Sequence, residues 1–532
     1  MTVSRREFLK LGATAASVMA LPRPLLVSLG GAREPIPPID DPHLKALALR
    51  AVEAATWAGA AYADVRLTHT RSRGFQPDYT SDVESMVVGV RALVQGYWGF
   101  ASGPVWSLDE MARLGHEAVH QARTNALGKT RVVDLAPRPV VADGHWVMPV
   151  KADAFDVSPF EVFDHLLGLQ IYAYRTQGVR VIRNECGFKV QDKAFAASDG
   201  SYCTQRLYLG WGDFTVKLKK NGQETGGAVD LLTPAGVGWE LYRDQPIREA
   251  IRELIAGLEE DLSLPVKPVD VGRYDTVLDP LSMAALLDTT IGRATELDRA
   301  LGYEANAGGT SYLNVPLDML GTYHTGAPLL TVTGNRSEPG AAATVQWDDE
   351  GVVPNHQVTL VRDGVLTDFQ TTRESAGWLK DYYAKSGEPF RSHGCANADS
   401  AINAPMQHTP NLVLAPGRGA HDFDDLVAGL ATGIALEEAT LDVDYQALNG
   451  MVRGKFYEVK KGKRVARIAN AGILFRTPEL WKALTALGGA ASVRRYGMGA
   501  SKGEPEQATY HSVTVVPAAF KQVTLIDPLR KA

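Results

Sequence analysis

The first 130 residues alternate between helical and strand patterns of apolar positions. Residues 43–60 carry leucine, valine and alanine three or four positions apart, which predicts a helix. Residues 63–67 predict a strand. The apolar runs 86–94 and 97–101 are separated by a Gln-Gly pair, which predicts a β-hairpin. A helix, a strand, a hairpin and a second helix therefore form the predicted N-terminal unit.

The second helix of this unit has a recognisable beginning. Ser107 is a suitable N-cap and Glu110 occupies the capping-box position, so the helix is predicted to run to about Ala126. Pro159 begins another predicted helix, which ends near Thr176. Strands are then predicted for three segments, namely residues 179–185, 189–198 and 202–211.

The second half of the chain is rich in predicted strands. They include residues 310–313, 329–333, 357–362 and 365–370, and the helices predicted among them are residues 423–432 and 479–487. The fold class predicted is α+β, with an N-terminal α/β domain of hairpin and helices, followed by a C-terminal domain built on a large, mostly antiparallel sheet. The predicted domains are residues 43–135, 150–264 and 269–527, after a signal and linker at 1–36.

Composition and charge narrow the classes of function. The chain has 532 residues, of which 45% are apolar and 22% charged, as in an ordinary globular protein. A net charge of -6 without a long basic run argues against a nucleic-acid partner. No apolar run reaches the roughly 18–20 residues that a membrane-spanning helix needs. The three cysteines, Cys186, Cys203 and Cys395, are too few for a disulfide framework.

The N-terminus has the pattern of a twin-arginine export signal. Arg5 and Arg6 are followed by Phe8-Leu9-Lys10, a weakly apolar segment and small residues that suit cleavage. The expected location is therefore periplasmic or extracellular. Because this route carries folded proteins, it allows a cofactor to be bound inside the cell before export. It also allows a subunit to be exported together with its partner.

Candidate chemistry is concentrated after an apolar helix predicted at residues 281–287. Four charged residues follow within nine positions, namely Glu296, Asp298, Arg299 and Glu304. A dense charge cluster at the end of an apolar helix is costly unless its charges are paired or used. The alternative is a solvated helix end.

This segment resembles the metal-site helix of the TldD/PmbA (TldD/TldE) metallopeptidase family, whose active members read roughly H-E-x-x-G-H-A-x-E-x-D-R-A-L-G-Y-E-A-N-x-x-G-T-S. The matching residues are Gly292, Ala294, Glu296, Asp298-Arg299, 302–306 and 309–311. The resemblance implies a zinc-dependent peptidase that forms a two-subunit assembly, in which a metal-bearing subunit pairs with a related subunit lacking the metal. It further implies that the pair encloses a cavity for unfolded peptides.

The first half of the family motif is altered in this chain. By the resemblance, the first His falls on Asp288, the catalytic Glu on Thr289, the second His on Arg293, and the third ligand, a Cys, on Ala500. Ala500 has no donor atom, and arginine is a permanent cation. We therefore expect no cofactor in this chain, with zinc confined to the family and to a metal-bearing partner. Arg293 is expected to pair with Asp288 instead.

The remaining polar residues of the motif then have a structural role. Glu296, Asp298, Arg299, Tyr303 and Glu304 are expected to shape the cavity or the subunit contact. An alternative keeps a hard metal ion on Asp288, Glu296 and Asp298, since carboxylate oxygens suit such ions.

One literal zinc motif lies elsewhere. His116-Glu117-Ala118-Val119-His120 has the H-E-x-x-H spacing on the predicted second helix. No third ligand pattern follows it, so the alternative is a surface helix that carries two histidines. The other singled-out histidines are expected to be hydrogen-bonded loop residues: His324, His393 and His511.

Three functional hypotheses follow. The first is an exported, non-catalytic subunit of a peptide-degrading assembly, which acts with a metal-bearing TldD/PmbA-type partner or forms a self-dimer. The second is an active zinc metallopeptidase with a rearranged site at His116 and His120 or at the carboxylates. The third is a non-enzymatic periplasmic scaffold or peptide-binding protein.

Overall fold

The computed structural model describes residues 39, 41–77, 79–127, 132–354 and 357–529. The predicted export signal with Arg5 and Arg6 lies outside the described residues. Among the helices that the structure describes, none is long and apolar enough to cross a membrane.

The chain alternates short helices with long strands. The helices, in chain order, are α1 (Pro42–Trp57), α2 (Leu108–Asn125), α3 (Pro159–Ala173), α4 (Glu240–Arg243), α5 (Ile247–Ser263), α6 (Pro280–Leu287), α7 (Leu297–Ala300), α8 (Pro316–Met319), α9 (Arg373–Ala376), α10 (Lys380–Ser386), α11 (Phe423–Ala428) and α12 (Thr477–Lys482).

The strands, in chain order, are β1 (Tyr62–Gln76), β2 (Tyr79–Val94), β3 (Tyr97–Gly103), β4 (Gly144–Val147), β5 (Val179–Ala197), β6 (Tyr202–Lys220), β7 (Gln223–Ala228), β8 (Val266–Pro268), β9 (Gly272–Leu278), β10 (Val332–Asn335), β11 (Val358–Arg362), β12 (Val365–Leu366), β13 (Ala396–Asn397), β14 (Met406–Gln407), β15 (Asn411–Leu414), β16 (Thr432–Val443), β17 (Asn449–Lys460), β18 (Lys463–Ala469), β19 (Gly472–Arg476), β20 (Leu484–Leu487), β21 (Arg494–Lys502), β22 (Gln507–Val515) and β23 (Ala518–Ile526).

The first sheet contains strands from both of the predicted domains at residues 43–135 and 150–264. Its order is β3-β2-β1-β5-β6-β4, with β7 beside β6, and β1 pairs with β5 in antiparallel register. Helices α1 and α2 bury leucines and alanines against one end of the sheet, and α3 and α5 cover the other end of it. Ser107 caps α2 as predicted, since its Oγ accepts a hydrogen bond from the backbone N–H of Glu110.

The opposite face of this sheet is polar although it is buried. Along β1, apolar residues alternate with Asp64, Arg66 and Thr68, as the two-residue strand period requires. The Arg91 guanidinium lies 2.6 Å from Asp64 and 3.2 Å from Glu350. These ion pairs join the first sheet to the second half of the chain.

The described part of the second half is built on two further large sheets and a two-stranded one, β13-β14. Within the described residues, one large sheet has the order β16-β9-β23-β19-β17-β18-β8 with β20 beside β23, and the other has the order β12-β11-β10-β15-β22-β21. Apolar side chains of both sheets form one core around α6, in which Met283, Leu286, Leu287 and Ile291 are fully buried. Helix α6 is thus held rigidly between the sheets, and its C-terminal end is the place where polar residues begin.

The predicted fold class is confirmed, with local corrections. Residues 310–313 form an irregular segment rather than a strand, and the Ser311 hydroxyl donates to the Ala294 carbonyl oxygen at 2.8 Å. The helix predicted at 479–487 ends at Lys482, because the next four residues form β20 and pair with β23. The strands predicted at 179–185 and 189–198 are one strand, β5.

Candidate functional site

The site begins where α6 changes from an α-helix to a π-helical turn. Asp279 caps the helix by accepting a hydrogen bond from the Ser282 N–H at 2.9 Å, and Pro280 suits its first turn. The π turn, Asp288–Gly292, follows without a break. Its Thr290 hydroxyl accepts a hydrogen bond from the Trp481 indole N–H at 2.9 Å. Such turns often occur at functional sites, because they change the direction of the side chains that follow.

The first altered family position, Asp288, is paired with a histidine. His511 Nε2 lies 2.8 Å from Asp288 Oδ1, and both side chains are buried. Arg293 is exposed and forms no ion pair with Asp288 in the described part of the chain. The predicted Asp288–Arg293 pair is therefore wrong, because the π turn directs Arg293 to solvent. His511 lies on strand β22 rather than in the predicted loop.

Four charged side chains form what we call the buried ion cluster: Glu296, Asp298, Arg299 and Lys502. The Lys502 ammonium lies 2.9 Å from Glu296 Oε2 and 2.8 Å from Asp298 Oδ2. The Arg299 guanidinium lies 3.1 Å from Glu296 Oε2. All four residues are at most 8% exposed. Two cations therefore neutralise two carboxylates away from water.

The protonation states follow from this geometry. Burial raises the pKa of Glu296, but the charges of Lys502 and Arg299 outweigh it and lower the pKa to about 2. Burial raises the pKa of Asp298 to about 6, and the Glu296 charge adds to that effect. Burial opposes the charge of Lys502, yet Asp298 and Glu296 raise its pKa. Lys502 is consequently a fixed ammonium at neutral pH.

A polar loop completes the cluster. The Gln407 carbonyl oxygen accepts a hydrogen bond from Lys502 at 2.8 Å, and the Thr409 hydroxyl donates to Glu296 Oε1 at 2.8 Å. The ring of His408, beside them, contacts the Thr509 hydroxyl at 3.1 Å. Burial, followed by the Lys502 charge, lowers the pKa of His408 to about 3, so this ring is neutral.

The sequence predicts three of the four charged residues of this cluster. Glu296, Asp298 and Arg299 lie together as their spacing predicts, but Lys502, Gln407, His408 and Thr409 arrive from distant segments. One signal was available: residues 296–304 carry three acids and one base. A buried group with that imbalance needs a cation from elsewhere.

Two members of the predicted set lie at its edge. Glu304 is buried beside Arg299 and Gly308, and its Oε2 has no hydrogen-bond partner in the described ranges. Tyr303 is 52% exposed, and its hydroxyl lies 3.2 Å from Glu374, which in turn accepts from the Trp98 indole. Tyr303 is therefore linked to the first sheet through Glu374 on α9.

The residues at the altered family positions do not fit a zinc ion. Zinc in a hydrolytic site takes three protein donors, usually histidine, cysteine or carboxylate. Ala500, on β21, offers a methyl group, Thr289 is no base, and Arg293 is exposed. Within the described ranges, no group of three or more His, Cys, Asp or Glu side chains is placed to hold a metal ion. The alternative metal site on Asp288, Glu296 and Asp298 meets the competing cation Lys502.

The H-E-x-x-H segment lies on the exposed face of α2. His116, Glu117 and His120 are all exposed, and Glu117 pairs with Arg113 one turn before it. The neighbouring positions Ala118 and Val119 pack into the core between α1 and the sheet. The described residues offer no third ligand there.

The three cysteines, Cys186, Cys203 and Cys395, are free and buried, as suits a structural role.

The chain resembles known proteins in sequence. Residues 271–518 match the family model of the PmbA/TldA metallopeptidase C-terminal domain. A metalloprotease of Methanocaldococcus jannaschii is 24% identical over 351 residues, which cover 66% of this chain and 71% of that protein. The C-terminal part of the chain, which contains the site above, is thus similar to the C-terminal domain of PmbA/TldA metallopeptidases.

Solved structures show the same fold. TldE from Thermococcus kodakarensis superposes with a TM-score of 0.69 at 13% identity, covering 91% of this chain and 99% of that chain. A candidate modulator of DNA gyrase from Thermotoga maritima gives 0.67 at 16% identity, covering 91% and 100%. The likeness in fold to these structures therefore covers 91% of the chain and extends beyond the segment that the family model matches.

Proposed function

We propose that this chain is an exported, non-catalytic subunit of a TldD/PmbA-type peptidase, which supports a related, metal-bearing subunit in degrading peptides. The observation that carries the proposal is that the altered family positions offer no zinc ligand set, since Asp288 is paired with His511, Arg293 is exposed and Ala500 has no donor atom.

The buried ion cluster closes the alternative metal site. Its carboxylates, Glu296 and Asp298, are satisfied by Lys502 and Arg299. A divalent ion placed there would have to displace a buried ammonium held by three oxygen atoms of these carboxylates and by a carbonyl.

The chemistry of the altered positions agrees with this role. Hydrolysis through a metal-bound water needs a general base beside that water. The family base position is Thr289, whose hydroxyl cannot accept a proton near neutral pH. The buried cluster instead fixes the loop at Gln407–Thr409 against α7 and β21, which gives the chain a rigid wall where the family has its active site.

Export and partnership are the remaining parts of the proposal. The Arg5-Arg6 pattern supports the twin-arginine route and a periplasmic or extracellular location. Because that route accepts folded cargo, a metal-loaded partner and this chain would leave the cell as one complex. The family likeness supports a related metal-bearing subunit as the partner.

The test compares the chain alone with the chain plus a partner. The mature chain is purified alone and co-expressed with a TldD/PmbA-type subunit that has an intact H-E-x-x-x-H motif. Zinc is measured by mass spectrometry, and hydrolysis of an unfolded casein fragment is followed with and without a chelator. We expect the chain alone to hold less than about 0.1 zinc ion per chain, which is one tenth of a single site, and to show no hydrolysis. The pair should hydrolyse the casein fragment, and the chelator should inhibit that hydrolysis.

Two results would contradict the proposal. Chelator-sensitive hydrolysis by the chain alone would identify an active peptidase with a rearranged site, and His116→Ala would then test the motif on α2. Peptide binding without turnover, even with the partner present, would identify a scaffold. As a gain-of-function control, Asp288→His, Thr289→Glu, Arg293→His and Ala500→Cys combined restore the family ligand set and should raise zinc content.

A further inference from the structure

A cleft opens between the polar face of the first sheet and the second half of the chain. It is partly open to solvent and leaves about 60 Å³ of space for the centres of water-sized molecules. Its walls include Lys189 and Gln191 from β5, Arg336, the loop at Asn397, and Thr509 from β22. Thr509 faces Ala500 in the β21–β22 register. The cleft therefore adjoins the altered family site without including its charged residues.

Lys189 is the unusual group in this cleft. It lies on the same face of β5 as Gln191 and Lys193, because alternate residues of a strand share a face. Lys193 is neutralised by Asp349, whose Oδ1 lies 2.6 Å away. The Lys189 ammonium, in contrast, has no hydrogen bond or ion pair with any described residue, and its side chain is partly buried. A partly buried ammonium with no anion in direct contact is costly, which favours a ligand that supplies one.

The other polar groups of the cleft point to the same ligand chemistry. Arg336 donates hydrogen bonds to the carbonyl oxygens of Ala343, Gly394 and Ala396 and pairs with no carboxylate among the described residues. The Asn397 side-chain amide has no described partner either. The lining is thus rich in donors.

The single carboxylate among the lining residues is already engaged. Asp399 accepts hydrogen bonds from the Asn403 side chain at 2.9 Å and from the Ala508 N–H at 3.3 Å. It therefore has fewer lone pairs left to offer Lys189. Burial, followed by repulsion from Lys193, lowers the pKa of Lys189 to about 8, so most molecules carry the charge at pH 7.

We propose that this cleft binds a carboxylate through Lys189, and that the ligand is the C-terminal carboxylate of a peptide. The carboxylate chemistry rests on the cleft alone, whereas the peptide rests on the proposed function. Apolar walls from Leu207, Leu209 and Val345 suit the last side chains of such a peptide. A peptide held there by its C-terminus would extend past Thr509 toward the altered family site.

The test uses an N-acetylated alanine tetrapeptide in two forms, with a free C-terminal carboxylate and with a C-terminal amide. Binding of each to the full chain is measured by titration calorimetry at pH 7, with acetate as a third probe. We expect the acid to bind at least about tenfold more tightly than the amide, as a charged hydrogen bond provides. Lys189→Gln should remove the preference, and Lys189→Arg should keep most of it.

The matched control is Lys219→Gln, an exposed lysine on β6 of the same sheet, which should retain the full preference. Melting curves verify that each variant is folded. For the wild type, the preference should decline as the pH rises through about 8, because Lys189 loses its proton. This pH dependence distinguishes the ammonium from Arg336, which keeps its charge.

Three results would overturn the inference. Equal binding of acid and amide, or an acid preference that survives in Lys189→Gln, would remove Lys189 as the carboxylate site. Acetate binding as tightly as the peptide acid would remove the peptide assignment. None of these affects hydrolysis by the co-expressed pair, so the proposed function is judged separately. Conversely, an acid preference without any hydrolysis by the pair supports the cleft and refutes the proposed function.

Discussion

Replacing Lys502 by methionine tests whether the buried ion cluster is held together by charge. Methionine keeps much of the volume of the side chain but removes the ammonium. Lys502 contacts one oxygen of Glu296, both oxygens of Asp298 and the Gln407 carbonyl, all at 2.8–3.0 Å. Its loss leaves two buried carboxylates with Arg299 as the remaining cation of the cluster, 3.1 Å from Glu296.

The expected cost is set by the charge left behind. Removing one partner of a buried ion pair destabilises a protein by about 3–5 kcal/mol. The double variant Lys502→Met, Asp298→Asn should recover at least about 1 kcal/mol of this, since it removes the unpaired carboxylate as well. Urea unfolding followed by tryptophan fluorescence gives both free energies of unfolding at pH 7.5. Exposed Lys521→Met serves as the control and should change stability by less than about 0.5 kcal/mol.

The pH dependence of the loss gives a second check. The folded-state pKa of Asp298, which burial already raises to about 6, rises further without Lys502, because the Lys502 charge lowers it. Protons then bind the folded state more tightly, so the deficit should be largest above about pH 7 and should shrink toward pH 5. A loss below about 1 kcal/mol at pH 7.5, or a deficit independent of pH, would refute charge compensation by Lys502.

The other predictions concern three further sites. Arg91→Met should lower the free energy of unfolding by about 3–5 kcal/mol in urea, because Asp64 and Glu350 then lie buried without it; a loss no larger than that of an exposed arginine variant would contradict this. The depressed pKa of His408 means that the unfolded state binds one more proton between about pH 3 and 6.5. Stability should therefore fall toward acid by up to about 1.4 kcal/mol per pH unit from this group, and unfolding at pH 7 and 5 should show a shallower slope in His408→Gln. His116→Ala on the exposed face of α2 should leave zinc content and melting temperature unchanged, and a parallel loss of metal would restore that motif as a site.

Local pattern sufficed for much of the fold. Ser107 and Glu110 act within one turn of helix, so the sequence predicts the beginning of α2. Predictions failed where pairing with a distant strand decided the outcome. Residues 484–487 continue a helical pattern but form β20, since β23 offers them backbone partners.

The same division applies to the candidate site. The sequence by itself determined that Glu296, Asp298 and Arg299 share one short segment, and that Ala500 cannot bind a metal. Only the tertiary structure brought Lys502 to these acids across 200 residues of chain, and only the π turn sent Arg293 to solvent while His511 reached Asp288. Spacing along the chain fixes which groups are neighbours within a turn or strand. Which buried charge compensates which other depends on how the sheets pack, because Coulomb energy follows distance in space rather than in sequence.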